Sequence, residues 1–143
     1  GKMTKEKNGE FIREVSRFRN NIGGEENPFQ IEKNRYHLYV SLACPWANRT
    51  LIMRNLKGLD KFVSLSVVNP FIDENDWNFK EGEGVIPDSV FGAKDMREVY
   101  RKASENYTGY VSVPVLLDKK TKTIVNNESS EIIRIFHSGF ESI

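Results

Sequence analysis

The sequence predicts an α/β domain built on a four-stranded mixed sheet, in the order β-α-β, a long insertion, then β-β-α. Three observations predict it. A strand-like run, Tyr36–Val40, is followed by a helix-like run opening at Pro45 and a second strand-like run, Phe62–Val68. A strand–helix–strand succession of this length folds right-handed with its strands parallel. Val113–Leu117 and Thr123–Val125 flank a short polar turn, Asp118–Lys122, and read as an antiparallel hairpin. An apolar run from about Ser129 to Phe136 closes the chain as a helix. The 143 residues suit one domain with a sizeable core.

Residues 1–30 read as a polar arm and 31–143 as the domain. In the arm, Phe11, Val15, Phe18 and Ile22 recur at roughly helical spacing, so they form either a short helix or an extended segment that lays its aromatics on the domain. Gly23–Pro28 is a loop. The first strand is rich in aromatic and β-branched residues. The helix after it runs from about Pro45 to Lys57. Pro45 fits the first turn, where its missing N–H costs nothing, and Gly58 fits the position just past the end. Its apolar positions are Ala47, Leu51, Ile52 and Leu56. Residues 69–110 are too many for a bare loop. Their first half is turn-rich and carries Trp77; in the second half Met96, Val99, Tyr100 and Ala103 share a helical face. The closing helix presents Ile132, Ile133, Ile135 and Phe136.

Composition excludes several classes of function. Hydrophobic residues make up 38% and charged residues 29%, and the formal net charge is +1, so no bulk field draws nucleic acid or an anionic membrane. No apolar run spans a bilayer and no segment of signal-peptide length opens the chain. The single cysteine, Cys44, forms no intrachain disulfide, and a reducing, cytoplasmic setting is expected. His37 and His137 are too few for a zinc site. Asp73, Glu74 and Asp76 lack calcium-loop spacing and read as a solvated turn. No metal is expected.

The chemistry concentrates at Cys44. It follows the first strand and sits at the mouth of the helix, among unpaired N–H groups and at the positive end of the helix dipole. Both favour the thiolate, the reactive form. Strand, Cys-Pro, helix is the local geometry of a thioredoxin-like active site. Position 47 is Ala, so there is no second cysteine at the CxxC spacing, and any partner thiol must come from outside. The plain alternative is a buried cysteine acting as a small hydrophobe. Val113-Pro114 opens a strand, as an ordinary trans proline at an edge or as a cis bond. Asn127 or Ser129 can cap the last helix. Trp77 can anchor its loop, and Trp46 can be simple packing.

The runs FIREVSRFRNNI, YHLYVSLACPWANRTLI, NDWNF and VPVLLDKKTKTIVNNESSEIIRIF, in this order, together resemble glutathionyl-hydroquinone reductases, the Xi class of glutathione transferases. The resemblance implies a thioredoxin-like amino-terminal domain with glutathione as co-substrate and Cys44 as nucleophile. It implies a cis Val113-Pro114 bond presenting the Val113 backbone to the cysteinyl moiety of glutathione. Ser129 and the helix N-terminus would take the γ-glutamyl carboxylate, Glu128 the ammonium, and Trp77 would lie against the bound peptide. Pro45 and Trp46 would shape the pocket. An all-helical carboxy-terminal domain, a second aromatic substrate and a possible homodimer are also implied; the chain is thus expected to be a fragment. Three positions depart from the family pattern and take no role from it: Tyr110, where a basic residue often contacts glutathione; Leu117, where tryptophan often follows VPVL; and Asn48, where histidine is common. An omega-type thioltransferase or dehydroascorbate reductase, and a non-catalytic glutathione-binding module, are the competing readings.

Overall fold

A computed structural model describes residues 18–72 and 76–141. The elements are β1 (Tyr36–Val40), α1 (Pro45–Leu56), a short 3-10 turn (Leu59–Lys61), β2 (Val63–Val67), α2 (Met96–Ala103), β3 (Val115–Asp118), β4 (Thr123–Asn126) and α3 (Ser129–Arg134), which continues as a wider π-type turn to Gly139. The sheet order is β2-β1-β3-β4. β1 and β2 are parallel, whereas β3 is antiparallel to both β1 and β4. This is the mixed, thioredoxin-like arrangement expected from the sequence.

The pleat of β1 sends alternate residues to opposite layers. Tyr36 meets Phe140 edge-on, with ring centroids 6.4 Å apart, on the side covered by α1 and α3. His37 and Tyr39 point the other way, beneath the insertion. There the Tyr39 hydroxyl donates to Asp88 at 2.8 Å, and Asp88 also accepts from the N–H groups of Val90, Phe91 and Ala93. His37 is fully buried between the hydroxyls of Ser64 and Ser66, at 2.6 and 2.7 Å. Burial lowers its pKa to about 4, so the ring is neutral at pH 7.

Several local expectations need correction. On α1 only Ala47 and Thr50 are fully buried; Ile52 and Leu56 are 50% and 75% exposed. The Thr50 hydroxyl is accommodated inside because it donates to the Ala47 carbonyl at 2.6 Å. β3 begins at Val115 rather than Val113, because the ladder with β1 ends at the Tyr39–Val115 pair. The regular part of the last helix stops at Arg134. Asp76 is not a solvated turn residue: it is 7% exposed and takes a two-pronged ion pair from Arg97. Asp73 and Glu74 lie outside the described residues, as do Phe11 and Val15. Gly58 ends α1 at φ 64°, as expected.

The described part of the arm is extended rather than helical. Asn20 N–H donates to the Val125 carbonyl at 2.9 Å, and Asn127 N–H donates to the Phe18 carbonyl at 3.0 Å. Phe18 packs against Tyr100 and Tyr107. Among the described residues, no helix is long and apolar enough to cross a membrane.

Candidate active site

A cleft of about 790 Å³ opens at the carboxyl end of β1 and is walled by five separate stretches of chain. The turn after β1 and the start of α1 contribute Cys44, Trp46 and Arg49, and the insertion contributes Ile72 and Trp77. The approach to β3 supplies residues 110–114, and the turn into α3 supplies 127–130 together with Ile133. The arm adds Arg19.

Cys44 occupies the N-cap of α1 in extended conformation, φ −99° and ψ 110°, with no side-chain capping bond. Ser41 shapes the preceding turn: its carbonyl accepts from Cys44 N–H at 3.3 Å and its hydroxyl from Ala43 N–H at 3.1 Å. No acidic residue lies in the first turn of α1. The half-buried thiol has no disulfide partner. Pro45 stands at the first helical position and is exposed, outside the cleft lining, so its part is to set the helix entry. Trp46 is 61% exposed and lines the cleft.

In the same cleft as Cys44, the Val113–Pro114 peptide is cis. The Val113 N–H and C=O form no hydrogen bond among the described residues, leaving a short stretch of backbone ahead of β3 unpaired. The start of α3 is similarly open. Its N-cap is Glu128, without a side-chain capping bond, its carboxylate accepting from the Ser130 hydroxyl at 3.4 Å, so neither Asn127 nor Ser129 caps it. The Ser129 hydroxyl and the N–H groups of Ser129 and Ser130 have no partner among the described residues. Trp77 is held at its backbone, where its carbonyl accepts from Met96 N–H at 2.8 Å, next to the Asp76–Arg97 pair.

The sequence reading missed the network that joins these walls. The buried Tyr100 hydroxyl donates to the Ser112 carbonyl at 3.0 Å and accepts from Asn127 Nδ2 at 3.0 Å. It thereby fixes the residue before Val113 relative to the residue before Glu128. Burial raises the pKa of this phenol, keeping it a donor. Asn127 Oδ1 is buried and unpartnered. Arg19 was missed because its partner is distant in sequence: it pairs with Glu131, Nε to Oε2 at 2.7 Å, and holds that carboxyl down at about 2. Arg49 lies over the Trp46 ring, its guanidinium carbon 4.6 Å from the centroid; the i, i+3 spacing of the pair on a helix was the available signal. Among the described residues, no group of acidic, histidine or cysteine side chains is arranged to hold a metal ion.

Residues 43–138 match the family model for the glutathione S-transferase N-terminal domain. The chain belongs to this family. It is 50% identical over 140 residues to the glutathionyl-hydroquinone reductase PcpF of Sphingobium chlorophenolicum, covering 98% of this chain and 44% of that protein. Glutathione-S-transferase Xi from Phanerochaete chrysosporium superposes with a TM-score of 0.87 at 47% identity, over 93% of this chain and 45% of that one. The glutathione-bound structure of YqjG from Escherichia coli K-12 superposes with a TM-score of 0.81 at 50% identity, over 87% and 43%. The Xi-class resemblance read from the sequence therefore holds in both sequence and structure, and the chain spans less than half the length of these relatives.

Proposed function

We propose that this chain is the glutathione-binding, cysteine-bearing part of a glutathionyl-hydroquinone reductase, with residues 31–143 as the binding domain and 1–30 as its arm. One observation carries the reading. Cys44, the open Val113 backbone and the uncapped Glu128–Ser129 helix start line a single cleft, in a chain about half identical to a named reductase of this kind. Glutathione fits this arrangement as co-substrate. Its cysteinyl backbone pairs with Val113 across the cis bond. The γ-glutamyl carboxylate takes the Ser129 hydroxyl and the free N–H groups at the α3 start, and Glu128 accepts from the ammonium. Trp77 covers the peptide.

The chemistry then follows in two displacements. The Cys44 thiolate attacks the sulfur of a glutathionyl-hydroquinone. The sulfur–carbon bond breaks, and its electron pair leaves with the ring carbon, which takes up a proton to give the free hydroquinone. Cys44 remains as a mixed disulfide with glutathione. A second glutathione thiolate attacks the glutathionyl sulfur and releases glutathione disulfide, returning the Cys44 thiolate. Two half-reactions through one sulfur predict ping-pong kinetics. A reducing, cytoplasmic setting suits a lone unpaired thiol of this kind.

The test is intact mass after incubation with glutathione disulfide. Wild type is expected to take up one glutathione on Cys44. Cys44→Ser is expected to take up none while unfolding at the same denaturant concentration. Unchanged labelling of Cys44→Ser would overturn the mechanism. Turnover of dehydroascorbate but not of glutathionyl-hydroquinone would move the protein to the omega type.

A further inference from the structure

Among the described residues two arginines line the cleft, and they differ in one respect. Arg19 is neutralised by Glu131. Arg49 is exposed and meets no carboxylate among the described residues; the contact it makes is with the face of Trp46. A guanidinium stacked on an indole is held flat while its N–H edge stays free to donate, in a fork that matches a carboxylate. Trp46 keeps 61% of its surface exposed, so the pair offers an aromatic surface with a guanidinium against it.

Its position decides what it would hold. Arg49 follows Cys44 by five residues on α1, about 7.5 Å along the axis at about 1.5 Å per residue. A ring bonded to a sulfur at Cys44 and resting on Trp46 would place a substituent on its far side near the guanidinium. The polar groups suited to a peptide, the Val113 backbone and the α3 start, are supplied by the other walls. We infer that the Trp46–Arg49 pair is a specificity element for the aromatic moiety, selecting conjugates whose ring carries an anionic substituent, a carboxylate in the first instance. This rests on the function proposed above.

The experiment compares two glutathionyl-hydroquinones that differ only in bearing a ring carboxylate or the isosteric carboxamide. The rate of the Cys44–glutathione adduct, read by intact mass in a single turnover, is measured for each. Wild type is expected to react with the carboxylate about tenfold faster, the scale of one charge-assisted contact. Arg49→Gln should bring that ratio to about one. Arg49→Lys should keep only part of it, having charge without the planar fork. Added salt should shrink the wild-type ratio, since the pair is exposed. A wild-type ratio near one overturns the inference. So does Arg49→Gln slowing both conjugates equally, which would assign the guanidinium to a carboxylate of glutathione itself. The glutathione disulfide reaction separates the two failures. Adduct from the disulfide with no preference between conjugates leaves the proposed function standing; no adduct from any of the three removes both.

Discussion

The two ends of the sheet treat their polar groups in opposite ways. At the end away from the cleft, Arg35 and Asp118 are buried together, with side chains 5% and 0% exposed. Arg35 donates from Nε and Nη2 to the two carboxylate oxygens at 2.9 Å, and Nη2 also donates to the Pro28 carbonyl; its remaining nitrogen pairs with Glu32. Asp118 further accepts from Lys120 N–H and the Thr121 hydroxyl. Burial alone would push the Asp118 carboxyl up. The bonds from Arg35, Thr121 and Lys120 outweigh it and leave the pKa below the usual range. At the cleft end, the Val113 backbone, the Ser129 hydroxyl and the first N–H groups of α3 are left open. One end is closed on itself and holds the fold; the other is held in shape with its donors and acceptors unspent. A folded scaffold can therefore be damaged at one end without touching the chemistry at the other.

The largest expected effect is at the closed end. Asp118→Asn removes the charge that Arg35 was buried against and should destabilise the domain by about 3–5 kcal/mol, read from urea unfolding. Where it remains folded, its glutathione adduct should still form; loss of adduct in folded protein would break the separation of the two ends. Next comes acid. The His37 pKa is lowered by burial to about 4 in the folded chain against about 6.5 unfolded. The unfolded state thus binds the proton first. The contribution of His37 is complete above about pH 6.5 and declines as pH falls toward 4, by about 3 kcal/mol in all. His37→Gln should flatten that interval in a stability–pH curve; an unchanged slope would assign the acid sensitivity elsewhere. At the open end, Ser129→Ala should weaken glutathione binding about fivefold by calorimetry yet leave stability unaltered, because no cap bond is lost. A change in stability without a change in affinity would make Ser129 structural. The smallest effect belongs to Leu56→Lys on the exposed flank of α1, within about 0.5 kcal/mol of wild type on the same unfolding scale.

What the sequence made legible was what is local. The Tyr36–Val40 strand, the Pro45 start and Gly58 stop of α1, the Met96–Ala103 helix and the hairpin each depend on periodicity and end signals within a few residues. Cys44 was placed by the same means, since strand, Cys-Pro and helix are contiguous. The misreadings share a different cause. Asp76 looked solvated because Arg97 lies 21 residues away, and Arg19 was unremarked because Glu131 lies 112 residues away. Ile52 and Leu56 are apolar yet exposed, whereas α1 buries Ala47 and Thr50 beside the sheet. The Tyr100 link between Ser112 and Asn127 has no local signature either. Each of these depends on which surfaces the fold brings together, which a single sequence does not spell out.

The short extended pieces that flank the sheet have a consequence for how this chain behaves in a crowd. β4 and β2 are its outer strands, and an outer strand with open backbone groups is a template for another chain. On β4 part of that row is already taken, by Phe18 and Asn20 of the arm. On β2, Val67 exchanges both of its backbone bonds with Ile86, at 2.9 and 3.0 Å. Sheet-to-sheet growth from either side would first have to peel away a segment of the chain's own backbone. A cut that removes the arm should therefore, beyond the stability lost with buried Ile22 and Phe29, raise the tendency of the protein to form fibrous or amorphous aggregates on standing.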